Sequence, residues 1–258
     1  MQTFDPGPPQ PFADIFASVP DYSSFKADFW YDWGPVFYRG RLDGSARVLC
    51  IASDPGPTER VAARTLVGDA GQRVQGFLAK LGLTRSYLCL NAFALALFPS
   101  KNSAVPAILK DPAQLAWRNK LYSAAKTGAK LQAIIAFGGN AQQAVDLWPD
   151  KGTVPVVKIP HPSDHDAVAL VTAWRAAIPQ LRTIVTPDPD GSATGPNYGA
   201  TIQEADYARI PSFDLPFGVP PWLGDDSWGR KAVPSHADCV SRPKPDDRHT
   251  LIWIAPLS

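Results

Sequence analysis

Residues 47–57 read RVLCIASDPGP, an apolar run that stops at a serine and an Asp-Pro-Gly turn. The run shows no polar alternation, the pattern of a strand covered on both faces, and Asp, Pro and Gly are residues that end such a strand in a turn. The pattern recurs. Residues 87–91, 133–137 and 154–159 read as further strands, and helical periodicity marks 68–81, 113–127, 140–147 and 167–177 between and after them. Alternating strand and helix predicts an α/β fold: a three-layer αβα sandwich around a central, mainly four-stranded parallel sheet with right-handed crossovers.

Farther out the punctuation changes. TPDPDGSATGPN at 186–197 reads as coil and prolines crowd 211–245, so residues 1–186 are expected to form the α/β domain and 187–258 an extension packed on it. Trp222, Trp228 and Trp253 argue against a purely disordered tail, and TLIWIA at 250–255 reads as one last strand. The formal net charge is +1, yet residues 1–186 carry 19 Lys and Arg against 14 Asp and Glu, while residues 187–258 carry 6 against 10. Near-neutrality therefore does not exclude a nucleic-acid partner. Lys101, Lys110, Arg118, Lys120, Lys126 and Lys130, opposed only by Asp111, read either as a solvated helix face or as a phosphate-contacting surface.

Three cysteines, of which Cys50 and Cys89 sit inside apolar runs, exclude a disulfide scaffold, and no CxxC spacing offers a zinc or iron–sulfur site. No metal and no cofactor are expected. No apolar stretch approaches the roughly twenty residues of a membrane helix, and MQTFDPGPPQPF lacks the basic and apolar regions of a signal peptide. A cytoplasmic monomer with no membrane partner is the expectation.

In parallel α/β sheets ligands bind beyond the carboxyl ends of the strands. There the sequence puts Ser53, Asp54 and Gly56, then Asn91, then Gly138, Gly139 and Asn140, and last His161 and Ser163. A carboxylate can position water or stabilise a cation, a carboxamide can read a nucleobase edge, and an imidazole can donate to a departing oxyanion. Each has a plainer alternative: a turn or helix cap for Asp54, a capped turn for Asn91, a structural histidine for His161.

Four fragments in order, over roughly residues 47 to 177, resemble the uracil-DNA glycosylase superfamily. ASDPG at 52–56 is similar to its first motif, GQDPYH in the classical family and GEAPG in the iron–sulfur family, and HPS at 161–163 is similar to its second. LVGDAGQRVQGFLAKLGLTRSYLCLNAF at 66–93 is similar to the FVGRAGQ…LGL…YITNVV region of the iron–sulfur family, and AFGGNAQ at 136–142 to the LWGSYAQ turn of the classical one. The resemblance implies that Asp54 positions water and stabilises a cationic sugar, that Asn91 reads uracil, and that His161 stabilises the leaving uracilate. It implies further that Ser53 lies in the substrate pocket and that Ser163, Gly138 and Gly139 hold DNA phosphates, with His165 the candidate wedge residue.

Departures from the family patterns carry their own expectations. Gly56 stands where the classical family has the tyrosine that blocks thymine, so the pocket is expected to be roomier, and Leu66 stands where the iron–sulfur family has a stacking phenylalanine. Phe77 and Phe93 are then the candidate stacking residues, although aromatics there are more often core. The four cluster-binding cysteines are missing, which separates this chain from the iron–sulfur branch. The activity implied is cleavage of uracil from single- or double-stranded DNA by base flipping, giving an abasic site and free uracil. A broader base range including hypoxanthine or xanthine, and a catalytically silent DNA-binding module, are the alternatives. A generic nucleotide-binding protein lacks support, because no GxGxxG or GxxxxGK[ST] loop is present.

Overall fold

Five extended segments lie side by side in one sheet: β1 (Tyr38–Gly40), β2 (Val48–Ala52), β3 (Tyr87–Asn91), β4 (Ala133–Phe137) and β5 (Val156–Ile159), in the order β1-β3-β2-β4-β5. The computed structural model describes residues 4–219 except 129, together with 240–241 and 252–253. Strands β2 to β5 are parallel, as the mostly apolar sequences of β2 to β4 suit, whereas β1 runs antiparallel to β3 with Tyr38 opposite Leu90. The sheet thus has one strand more than the four expected. The sequence Tyr-Arg-Gly of β1 is too short and too polar to signal a strand, and Arg39 is fully buried only because other segments neutralise it.

Helices α1 (Phe12–Ala17), α4 (Val105–Lys110), α5 (Pro112–Lys126) and α6 (Gly139–Asp146) cover one face, while α3 (Asp69–Lys80) and α7 (Ala167–Arg182) cover the other. Alternate residues of β2 serve the two layers. Leu49 and Ile51 pack with Phe12, Trp117 and Tyr122, and Val48 and Cys50 pack with Phe77 and Trp174. This is the expected αβα sandwich. A short helix, α2 (Pro57–Ala62), follows β2 directly.

Helix ends follow local chemistry. Asp111 caps α5 by accepting from the backbone N–H groups of Ala113 and Gln114, both at 3.1 Å, and Pro112 takes the first position where no N–H is needed. Helix α7 runs past its expected end at residue 177 and through Pro179 to Arg182. Pro179 has no N–H for the carbonyl of Arg175, and the Asn197 carboxamide donates to that oxygen instead at 2.8 Å. Among the described residues, no helix is long and apolar enough to cross a membrane.

Residues 187–219 lie against the sheet. Asp188 accepts from the backbone N–H groups of Thr84, Arg85 and Ser86 just before β3, and Tyr198 joins the core beside Phe77 and Trp174. Asp214, wholly buried, pairs with Arg39 at 3.1 Å and with Arg41, and accepts from the Tyr87 hydroxyl at 2.8 Å. A buried guanidinium without such a partner would cost several kcal/mol, roughly 3–5 when one member of a pair is lost. Trp222 and Trp228 lie outside the described residues. Within 250–255, Ile252–Trp253 forms a short strand paired antiparallel with Val240–Ser241.

Candidate active site

Beyond the carboxyl ends of β2, β4 and β5 the chain leaves a cleft of about 590 Å³. Its lining brings together Ser53, Asp54 and Gly56 after β2, Gly138 and Gly139 after β4, and His161 and Ser163 after β5, with Leu66 as an apolar wall. With Asn140, which also lines it, nine of the residues singled out from sequence share one cavity. This is the crevice that an open parallel sheet offers a ligand.

Asp54 is only partly exposed, and loss of water pushes its pKa up to about 6, against hydrogen bonds from the Ser53 hydroxyl and the Leu97 N–H, with the Glu59 carboxylate adding to the rise. The Leu97 N–H donates to Asp54 Oδ2 at 2.9 Å. His161 is driven the other way: burial lowers its pKa to about 4, so it is neutral at pH 7. Its Nδ1 accepts from the Ser163 N–H at 3.2 Å, which leaves the single ring proton on Nε2. The lining thus includes the Asp54 carboxyl group and a neutral imidazole with an N–H to give.

Three residues unremarked in the sequence, Glu59, Arg73 and Trp174, hold these groups together with Asn140, which the sequence places at the strand-end rim. Glu59, 8 % exposed, accepts from the N–H groups of Gly56 (3.0 Å), Val67 (2.8 Å) and Gly68 (2.9 Å), tying the turn after β2 to the start of α3. Glu59 stands three residues after Gly56 and makes only the back-reaching half of a capping box, since glycine has no side chain to cap with. Arg73 donates to the Pro162 carbonyl at 2.7 Å and to the Tyr207 hydroxyl at 2.8 Å, fixing the loop that carries His161; on the other side the Trp174 indole donates to the Pro160 carbonyl at 3.1 Å. Asn140 donates to Ser53 Oγ at 2.8 Å. No local pattern announces the partners of Arg73, Trp174 or Asn140.

A family model described as Uracil DNA glycosylase superfamily matches residues 39–177, more than half of the chain. The chain belongs to the uracil DNA glycosylase superfamily. Membership supports a DNA glycosylase role, a hydrolase of N-glycosyl bonds with DNA as the substrate it binds. No curated protein matches the chain.

Within this superfamily member the remaining candidates separate. Asn91 ends β3 opposite Ala52 and is buried behind the cleft, outside its lining; its backbone carbonyl accepts from Tyr122, but both polar atoms of its carboxamide are buried with no protein partner among the described residues. An enclosed carboxamide with its hydrogen-bonding capacity unused costs about 1–3 kcal/mol per unmet group. Phe77 and Phe93 are not in the cleft lining. Phe77 packs among Phe137, Trp174 and Tyr198, and Phe93 packs edge-on to Phe29 at 5.7 Å, so both are core. The aromatic residue that does line the cleft is Phe137, the last of β4.

Leu66 has a left-handed backbone, φ 53°, that places its side chain in the cleft wall, and a Cβ on Gly71 would lie 1.8 Å from its carbonyl oxygen. Gly71 is therefore fixed by this turn. A Cβ on Gly56 would lie 2.8 Å from Glu59 Oε2, so that glycine makes room for the folded-back carboxylate as well as leaving the cleft open. His165 is exposed and outside the lining. Of the basic cluster, Arg118 is buried with its guanidinium on the Leu109 carbonyl, and Lys126 donates to the Asp150 carbonyl, so neither is a free surface cation.

Proposed function

We propose that the protein removes uracil from DNA by hydrolysing the bond between uracil N1 and deoxyribose C1′, with the nucleotide rotated out of the strand into the cleft. The observation that carries this reading is the pairing, across one cavity, of Asp54 with a neutral His161 whose available proton is on Nε2. Bond cleavage sends its electron pair to uracil and leaves an oxocarbenium-like sugar. Asp54, charged above pH 6, stabilises that cation and orients the water that adds to C1′. The His161 Nε2–H donates to the oxygen of the departing uracilate, where negative charge develops only as the bond breaks. Water supplies oxygen to the sugar and its proton to the base, giving an abasic site and free uracil.

The unused Asn91 carboxamide supports base reading, because uracil offers both an acceptor at O4 and a donor at N3 to such a group. Cytosine offers the reverse pattern, a mismatch worth a few kcal/mol. Ser163 and the open Gly139 at the start of α6 are assigned to the DNA backbone, where exposed N–H groups suit phosphate oxygens. The missing cluster cysteines assign the chain to a branch without an iron–sulfur cluster. Gly56, which presents no side chain, and the aliphatic Leu66 favour a second reading in which the cleft also admits hypoxanthine or xanthine.

Incubation of the protein with single- and double-stranded oligonucleotides bearing uracil, hypoxanthine, xanthine or a G·T mismatch, followed by alkaline strand scission, tests both readings. Uracil release is expected from either strand form. Absence of abasic product from every substrate rejects them.

A further inference from the structure

We propose that Arg60, held over the ring of Trp33, binds a backbone phosphate of the DNA strand that enters the cleft. The inference rests on the glycosylase reading above for its ligand, and on the distribution of charge and ring contacts for its place.

Asp54, Glu59 and Asp69 line the cleft, and no lysine or arginine does so among the described residues. A polyanion that brings one of its sugars to Asp54 therefore needs a cation beside the lining rather than in it. Helices α2 and α3, whose first turns line the cleft, and the chain joining them carry four basic residues, Arg60, Arg64, Arg73 and Lys80. Three of the four are neutralised. Arg64 pairs with Asp5 at 2.7 Å, Arg73 with Asp69 at 3.2 Å and Lys80 with Asp206 at 2.8 Å. Arg60 is exposed and forms no ion pair among the described residues.

What holds Arg60 is aromatic. Its guanidinium lies over Trp33, 5.0 Å from the ring centroid; Trp33 stacks on Trp30 at 5.3 Å, and Trp30 leans on Phe98 at 4.4 Å. The Trp30 N–H donates to the Ala96 carbonyl at 2.8 Å, and Ala96 and Leu97 are the cleft wall whose Leu97 N–H reaches Asp54. The stack thus joins α2 to the wall beside Asp54 and sets Arg60 where the two meet. Stacking engages the flat face of a guanidinium and leaves its in-plane N–H groups, the fork that matches a phosphate, for a ligand. It also restricts a long side chain before the ligand arrives, so less freedom is lost on binding.

The test is fluorescence anisotropy with a labelled, uracil-free single-stranded oligonucleotide, titrated between about 50 and 200 mM salt, a readout that needs no turnover. Arg60 is exposed, so its replacement leaves the core untouched. Arg60→Ala is expected to weaken binding about 10-fold at the lowest salt and to reduce the slope of log K against log salt by about 0.7, the share of one phosphate on a single strand. Arg60→Lys is expected to keep the slope and bind about 3-fold more weakly, since an ammonium keeps the charge without the fork. Arg85→Ala removes an equal charge just before β3, at the opposite end of the sheet, and is expected to match the wild type. A wild-type slope in Arg60→Ala, or an equal loss in Arg85→Ala, overturns the proposal. If uracil is released and Arg60→Ala binds as the wild type does, the phosphate contact falls and the glycosylase reading stands; if the slope falls as stated and no base is released, the contact stands and that reading falls.

Discussion

A Cβ on Gly138 would lie 2.8 Å from the Cβ of His161, closer than two side chains can approach, and Gly138 also sits at φ 83°. The glycine after β4 therefore sets how near the imidazole comes to the cleft. Gly138→Ala is expected to push His161 aside and to strain the backbone, costing about 1–3 kcal/mol of stability. Steady-state kinetics should show turnover falling about 10²-fold with a much smaller change in KM, the mark of an interaction used in the transition state. Wild-type turnover in a folded Gly138→Ala would reject this role.

Rate and stability should respond oppositely to the charge on Asp54. Its folded pKa of about 6 is raised above the usual carboxylate value of 3.8. The stabilising contribution is therefore fully present below about pH 4 and lost as pH rises through 6, whereas the reaction needs the charged form that exists above 6. Asp54→Asn is expected to unfold at higher temperature than the wild type at pH 8, by about 1–2 kcal/mol, and equally at pH 3.5. In parallel its cleavage rate should drop about 10²–10³-fold and lose the acid limb near pH 6. Melting curves at the two pH values and a pH–rate profile measure both.

Asn91 offers the same opposition without a charge. Asn91→Leu keeps the size and removes two unpaired polar atoms, so a rise in the denaturant midpoint is expected together with loss of base cleavage by at least about 10²-fold. Asn91→Asp should instead weaken the preference for uracil over cytosine. A destabilised Asn91→Leu would mean that the carboxamide already has a partner in the fold.

Glu59 accepts three backbone N–H groups with two oxygens, and glutamine has one oxygen to offer. Glu59→Gln is expected to leave at least one of those donors without a partner and to cost about 1–3 kcal/mol in urea unfolding. Because the same clamp joins the Asp54 turn to the Leu66 wall, base cleavage should fall with it. Full stability in Glu59→Gln would show that water satisfies the freed donors.

What the sequence disclosed and what it withheld divide along one physical line. Strands β2 to β4 were legible because burial on both faces writes an apolar run, β5 less so because Lys158 faces outward, and the shared cleft of Asp54 and His161 was legible because strand ends are where a parallel sheet exposes chemistry. Arg73 was not, and of Asn140 only the place at a strand end was, since a hydrogen bond to Pro162 or Ser53 depends on which helix packs beside which loop, and no periodicity encodes that. Phe77 and Phe93 show the ambiguity from the other side: an aromatic in an apolar pattern suits a stacking wall or a core equally, and only packing against Trp174 and Phe29 decides. Strand β1 escaped notice because its buried arginine is neutralised by an aspartate 175 positions away.

That long-range pair also separates two meanings of a domain. The span that matches the superfamily ends at residue 177, and Asp214, which neutralises the guanidiniums of Arg39 and Arg41, lies well past it. A chain cut where the family resemblance stops would strand a positive charge under the sheet edge, so heredity and cooperativity draw their borders in different places here.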